Sequence, residues 1–135
     1  MSTARGYHSC ILLQDEDGSK KLWAVGGENN CNQYDCAIAT TEVFDLKTRK
    51  WQSGKTLPFA VKHSALVEGN GKHAAYLIGG WQDGDTSSTI LGLTRNTKEW
   101  EEVGSFERAR EDHVALTLPP KFLLDCCRLN PQCCT

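Results

Sequence analysis

Apolar positions come in short runs, each closed by turn-forming residues, and none recurs with the period of about 3.6 residues that marks a helix. His8 to Gln14 is a half-apolar run ended by Asp15-Glu16-Asp17-Gly18. Lys21-Leu22-Trp23-Ala24-Val25 follows and stops at the doublet Gly26-Gly27. After a polar stretch, Thr41-Glu42-Val43-Phe44 alternates polar and apolar, as a half-buried strand does, and Asp45 to Lys50 turns the chain into a strand begun by Trp51. The same order returns as His63–Val67, Ala74–Ile78, Gly79-Gly80, Thr89–Leu93 and Trp100, and then again as His113–Leu118 before Pro119-Pro120. The pattern predicts an all-β chain built from four-stranded units.

The markers recur at a period near 50 residues. Gly26-Gly27 returns at Gly79-Gly80, 53 positions on; Trp51 returns at Trp100, 49 on; His8 is matched to His63 and His113 at shifts of 55 and 50. Arg5 and Arg110 each lie three before a histidine, with Ala60 in the middle slot, and Thr48 and Thr97 each lie three before a tryptophan. Several markers that keep one order at one period identify a repeat protein.

A strand, Gly-Gly, a second strand, Asp45-x-x-Thr48-x-x-Trp51 and a following Arg-x-x-His together resemble kelch repeats. Val25-Gly26-Gly27, Val43-Phe44-Asp45 and Trp51 make the better match; the second unit keeps Ile78-Gly79-Gly80 and Trp100 but has Leu93 where Tyr or Phe is usual. The resemblance covers about residues 5–120. It implies a partial kelch β-propeller: blade one over 5–57, blade two over 58–107, the first strand of a third unit over 108–120, and a Cys-rich tail over 121–135. A kelch blade takes about 50 residues and a propeller about 4–8 blades, so the ring does not close within this chain. A fragment of a longer protein is therefore expected, with further blades of a parent chain or self-association completing the ring. In such a blade, Gly-Gly lets neighbouring backbones approach, Trp51 and Trp100 fill the wedge between blades, and Asp45 with Thr48 caps a turn. Phe44, Asp45, Trp51, Trp100 and the two glycine doublets are accordingly read as structural.

Composition narrows the function. Fifteen basic against 17 acidic residues give a formal charge of −2, with no basic stripe, which argues against nucleic-acid binding. No apolar run is long enough for a membrane helix, and the first eight residues lack the apolar core of a secretory signal, so a cytoplasmic chain with no membrane partner is expected. Seven cysteines, an odd number, sit at Cys10, Cys31, Cys36, Cys126, Cys127, Cys133 and Cys134. Cys31-x4-Cys36 allows a loop disulfide or half a metal site, and free thiols are the expectation; the terminal doublets lack the Cys-x2-Cys spacing of a metal pair.

Three histidines in successive units suggest a metal centre, but equivalent positions of separate blades diverge, and no metal or cofactor is expected. There is no Gly-x-Ser-x-Gly, phosphate loop or His-Glu-x-x-His. The family resemblance includes propeller enzymes of the copper-oxidase and sugar-isomerase type. A fragment of one is the alternative reading, but two blades cannot assemble such a site, so no enzyme activity is expected. The family also implies a protein-interaction module, a substrate- or partner-recognition scaffold from a larger adaptor of the kind that carries a BTB domain. Its loops are Glu28–Thr40 and Trp81–Ser88 after the doublets, and Lys55–Lys62 and Gly104–Asp112 between units. Tyr34, Trp81, Arg108 and Arg110 are the loop residues of the types that dominate binding to a protein partner.

Overall fold

The computed structural model describes residues 1–30 and 36–118; Tyr34, Cys31 and the tail over 121–135 lie outside the described residues. Ten strands and no helix are formed among them. The first sheet is an antiparallel meander of β1 (Ser9–Gln14), β2 (Lys20–Val25), β3 (Thr41–Asp45) and β4 (Lys50–Ser53). The second has the same order from inner to outer strand, β5 (Ala65–Glu68), β6 (His73–Ile78), β9 (Thr89–Thr94) and β10 (Trp100–Ser105). The chain is thus all-β, two blades of an open propeller, and the ring is not closed by these residues.

Between β6 and β9 the presumed loop carries a small hairpin, β7 (Trp81–Gln82) with β8 (Asp85–Thr86). Its turn residues Asp83 and Gly84 both have positive φ, 51° and 85°, the backbone that a two-residue hairpin requires. The strand expected at His113–Leu118 forms no ladder among the described residues. An inner strand bonds to the second strand of its own unit, as β1 does to β2, and no such partner for His113–Leu118 lies among the described residues. The segment is held to blade two by Thr117, whose hydroxyl donates to the Glu68 carbonyl at 2.8 Å.

Register decides which side chains are buried. Trp23 pairs with Val43, and the face they share packs against the second sheet with Leu13 and Val25. Phe44 pairs with Trp51 on the opposite face, the rings 5.2 Å apart, and both are only half-buried. In blade two the equivalent pair, Leu93 with Trp100, lies on the face turned toward blade one and joins the same core with Leu77 and Leu91. The repeat tryptophan therefore faces the blade that precedes it. Trp100 has one to face and is 8% exposed. The expectation that both indoles fill a wedge is corrected for Trp51, because no blade precedes its own among the described residues.

The turns are side-chain capped. The Asp45 carboxylate accepts the backbone N–H groups of Lys47 and Thr48, both at 2.8 Å. In blade two Thr94 does this work, accepting Glu99 N–H at 3.1 Å and meeting the Thr97 hydroxyl at 2.6 Å.

The facing rule yields an unequal pair of substitutions. Trp100→Ala should destabilise by about 3–5 kcal/mol, the usual loss for a core indole, whereas Trp51→Ala should lose about 1 kcal/mol. Urea unfolding midpoints of the two variants measure the difference, and equal losses would contradict the assigned faces.

Candidate functional site

Antiparallel pairing gathers the connections at one edge of the sheets. Ser9 lies opposite Val25, Val25 opposite Thr41, and Glu42 opposite Ser53, so the start of β1, the exit of β2, the start of β3 and the end of β4 share an edge. The linkers before each blade and the loops after each glycine doublet therefore meet there.

The linker between the two blades is clasped from both sides, and those before blade one and after blade two are each held from one. Gly27 N–H donates to the Val61 carbonyl and Gly80 N–H to the Arg110 carbonyl, both at 2.8 Å. A Cβ on Gly26 would collide with the first of these carbonyls, and one on Gly79 with the second; both glycines also have positive φ, 60° and 55°. The next linker residue pairs with the blade that follows: Gly6 bridges to Glu28, and Lys62 to Trp81. The residue after that adopts positive φ without being glycine, 48° at Tyr7, 56° at His63 and 50° at Asp112. These three are linked by backbone hydrogen bonds, His63 N–H to the Tyr7 carbonyl at 3.1 Å and Asp112 N–H to the His63 carbonyl at 3.0 Å. Their side chains form a row: the Tyr7 ring stacks on His63 at 4.2 Å, and His63 Nδ1 lies 2.6 Å from an Asp112 oxygen.

This geometry moves the repeat alignment by one residue. His63 is equivalent to Tyr7 and Asp112, not to His8 and His113, and the residue equivalent to Arg5 and Arg110 is Val61, not Ala60. Among the described residues no three His, Cys, Asp or Glu side chains are grouped to hold a metal ion. Burial, with Arg5 nearby, holds the His8 imidazole below its ordinary pKa. Burial and then Arg110 do the same to His113, both of whose ring nitrogens are buried without a hydrogen-bond partner among the described residues.

Arg5 anchors the edge of blade one. Its fully buried guanidinium donates to the Gly26 and Thr40 carbonyls, each at 2.9 Å, and pairs with Glu42 at 2.9 Å. Ser2 adds its N–H at 2.6 Å and its hydroxyl at 2.8 Å to the same carboxylate. Burial alone would raise the Glu42 pKa, but the donors from Ser2, Arg5 and Thr3 outweigh it and hold the group at about 2. In blade two the corresponding positions are Val61 and Leu91, 0% and 1% exposed, so two apolar side chains of the shared core stand where blade one has the ion pair.

Of the loop residues singled out by type, Trp81 is half-buried in the small hairpin and tied by two backbone bonds to Lys62, at 2.7 and 3.1 Å. Lys62 in turn pairs with Glu28 across the two loops at 2.8 Å. Arg108 and Arg110 are exposed, and neither forms an ion pair among the described residues; the Arg110 guanidinium carbon sits 4.6 Å above the Phe106 ring. Tyr34 falls outside the described residues. Sequence reasoning overlooked Tyr7, Lys62 and Asp112 at this edge; the only available signal was their position in the linkers. Cys36 is disulfide-bonded, which corrects the expectation of free loop thiols there, and Cys10 is a free thiol.

Residues 19–58 match the family pattern of the Kelch motif. The chain is 25% identical over 123 residues to Kelch repeat-containing protein kel-10 of Caenorhabditis elegans, a match that covers 89% of this chain and 20% of that protein. It is 24% identical over 122 residues to a kelch repeat and BTB domain-containing protein of the same organism, covering 88% of this chain and 20% of the relative. The chain thus spans about a fifth of the length of these curated relatives.

The Glu42 cluster predicts an acid response of definite sign. An unfolded glutamate titrates near 4.5 and the folded one at about 2, so the cluster's stabilisation is complete above pH 4.5 and is lost as pH falls toward 2. Glu42→Gln should leave the Arg5 charge buried and unpaired, a loss of about 3 kcal/mol at neutral pH, and should flatten the dependence of unfolding free energy on pH between those limits. Denaturant titrations at several pH values measure both.

Proposed function

The chain belongs to the kelch-repeat family, and on that premise we propose that it is a partner-recognition scaffold whose loop-bearing edge binds another protein. The observation that carries this reading is the bonding of the loops to one another. Gly6 with Glu28, and Lys62 with Trp81, join each linker to the loop after the glycine doublet by backbone bridges. Side chains at this edge are thereby held on fixed backbone, which lowers the ordering cost of binding. Trp81 and the exposed Arg108 supply the residue types that most often anchor a partner, and the Tyr7–His63–Asp112 row adds a second rigid strip beside them.

We read the chain further as the recognition portion of a larger adaptor. The likeness to a kelch repeat and BTB domain-containing protein several times its length supports that placement.

Selection of a displayed peptide library against the protein tests the reading. Enriched peptides should bind Trp81→Ala or Arg108→Ala about tenfold more weakly, a loss typical of an anchor residue, while the thermal midpoints of both variants stay near that of the parent. Peptides that ignore both substitutions, or that lose binding only when the variant unfolds, would overturn it.

A further inference from the structure

The turn joining β5 to β6 lies at the sheet edge remote from the loops, since Ala65 and Ile78 pair beside the glycine doublet and Glu68 pairs with Ala75 at the other end. Asn70 and Gly71 stand at its tip, and Asn70 is the one asparagine of the sequence followed by glycine. Both are exposed, and among the described residues neither the Asn70 side chain nor the Gly71 N–H has a hydrogen-bond partner. Gly71 takes a φ of 60°, and a Cβ on it would meet nothing within 4 Å, so nothing crowds the residue from that side. The flanks of the turn are held. Gly69 N–H donates to the Ala74 carbonyl at 2.9 Å. Arg95 donates to the carbonyls on either side of Asn70, from Nε to Gly71 at 2.9 Å and from a terminal nitrogen to Gly69 at 3.0 Å.

Asparagine is among the chemically labile side chains, and a glycine after it removes the side chain that would shield the backbone nitrogen. We infer that Asn70 and Gly71 form a site of spontaneous covalent modification, at which the asparagine amide closes onto the Gly71 nitrogen and reopens as aspartate or isoaspartate. Hydroxide takes the Gly71 N–H proton. The nitrogen then attacks Cγ of Asn70, forming the new C–N bond of a succinimide, and the amide nitrogen leaves as ammonia with a proton from water. Water cleaves the ring at either carbonyl. Breaking the bond to Cγ restores the normal backbone with an aspartate, and breaking the bond to the Asn70 backbone carbonyl routes the chain through Cγ as isoaspartate. Water is consumed, ammonia is released and no electrons are exchanged.

Asp17 and Asp83 also precede glycines, but a carboxylate is a poor target for a nitrogen nucleophile, and Gly18 N–H is already donated to the Asp15 carbonyl at 2.9 Å. At Asn70 either product puts a carboxylate beside the Arg95 guanidinium where an uncharged amide stood. The isoaspartyl form does more, because its extra backbone carbon spreads the Gly69 and Gly71 carbonyls that Arg95 spans. The backbone N–H of the same arginine donates to the Lys72 carbonyl at 2.9 Å, so the contacts between this turn and the one after β9 loosen together. The site is remote from the loop-bearing edge, and the inference does not rest on the reading of that edge.

The folded protein is incubated at a series of mildly alkaline pH values and its peptides are mapped by mass spectrometry. The peptide holding Asn70 should gain the mass difference between an amide and a carboxyl group before any other asparagine reacts, at a rate that rises with hydroxide. It should also become a substrate for isoaspartyl-specific carboxyl methylation. An Asn70 that stays intact in the folded protein, or that reacts only after urea has unfolded it, overturns the inference. Gly71→Ala should slow the conversion severalfold, because a methyl group crowds the attacking nitrogen; an equal rate overturns the cyclic route. Should that variant fail to fold, Asn70→Gln leaves the turn backbone untouched, and its longer side chain closes a ring reluctantly. It should show neither mass gain nor methylation at position 70, and either signal there overturns the proposal. Hydrogen exchange reads the consequence: the isoaspartyl form should exchange the Gly69 and Arg95 amides faster than the unmodified chain, with Gly27 unchanged. Unaltered exchange at Gly69 and Arg95 overturns the effect assigned to the turn.

Discussion

The clasp between a glycine doublet and the linker that follows it is the constraint on which the two blades depend. Gly27 N–H reaches the Val61 carbonyl and Gly80 N–H the Arg110 carbonyl, and at Gly26 and Gly79 the approach is so close that any side chain would strike those carbonyls. Because the linker is fixed there, its next residue can bridge to the blade ahead and the residue after that must turn through positive φ. The position of the inner strand, the depth of Val61 in the core and the stacking of Tyr7 on His63 all follow from that one contact.

A blade packed this way has two unlike faces. One, turned to the blade that precedes it, receives the side chain of its own linker and the repeat tryptophan; the other offers a surface to the blade that follows. Blade one offers Trp23 and Val43 and so makes a dry seam with Trp100 and Leu93. The far face of blade two is built differently: His73 Nε2 lies 2.7 Å from Glu101, the Tyr76 hydroxyl 3.3 Å from His73 Nδ1, and Gly92 leaves room for the imidazole. The two seams of a longer array therefore need not share one chemistry, and the same alternation appears between the Arg5–Glu42 and Val61–Leu91 pairs.

The strands, their order and the glycine doublets were legible in the sequence because alternation and turn residues act locally. The paired-strand hairpin at Trp81–Thr86 had a local signal as well, Asp83-Gly84, which went unused within a stretch read as loop. Two things were not legible. The burial of Trp51 against that of Trp100 depends on which neighbour exists, and neither residue's own surroundings in sequence say so. The true equivalence of Tyr7, His63 and Asp112 is carried by backbone conformation, and three histidines at similar spacing gave a stronger but misplaced match. Identity of side chain misled where φ decided.

The linker's divided loyalty sets where this architecture can be cut and rejoined. A blade's buried linker residue arrives just ahead of it, Arg5 with Glu42 in blade one and Val61 in the core of blade two, so a unit excised at its first strand leaves half of its ion pair or part of its apolar core behind. The heritable module is the linker with the blade it enters. Duplication or shuffling with boundaries ahead of residues 5 and 61 keeps each linker side chain with the residue it is matched to, whereas boundaries at the strand starts would strand an arginine against leucine or a valine against glutamate.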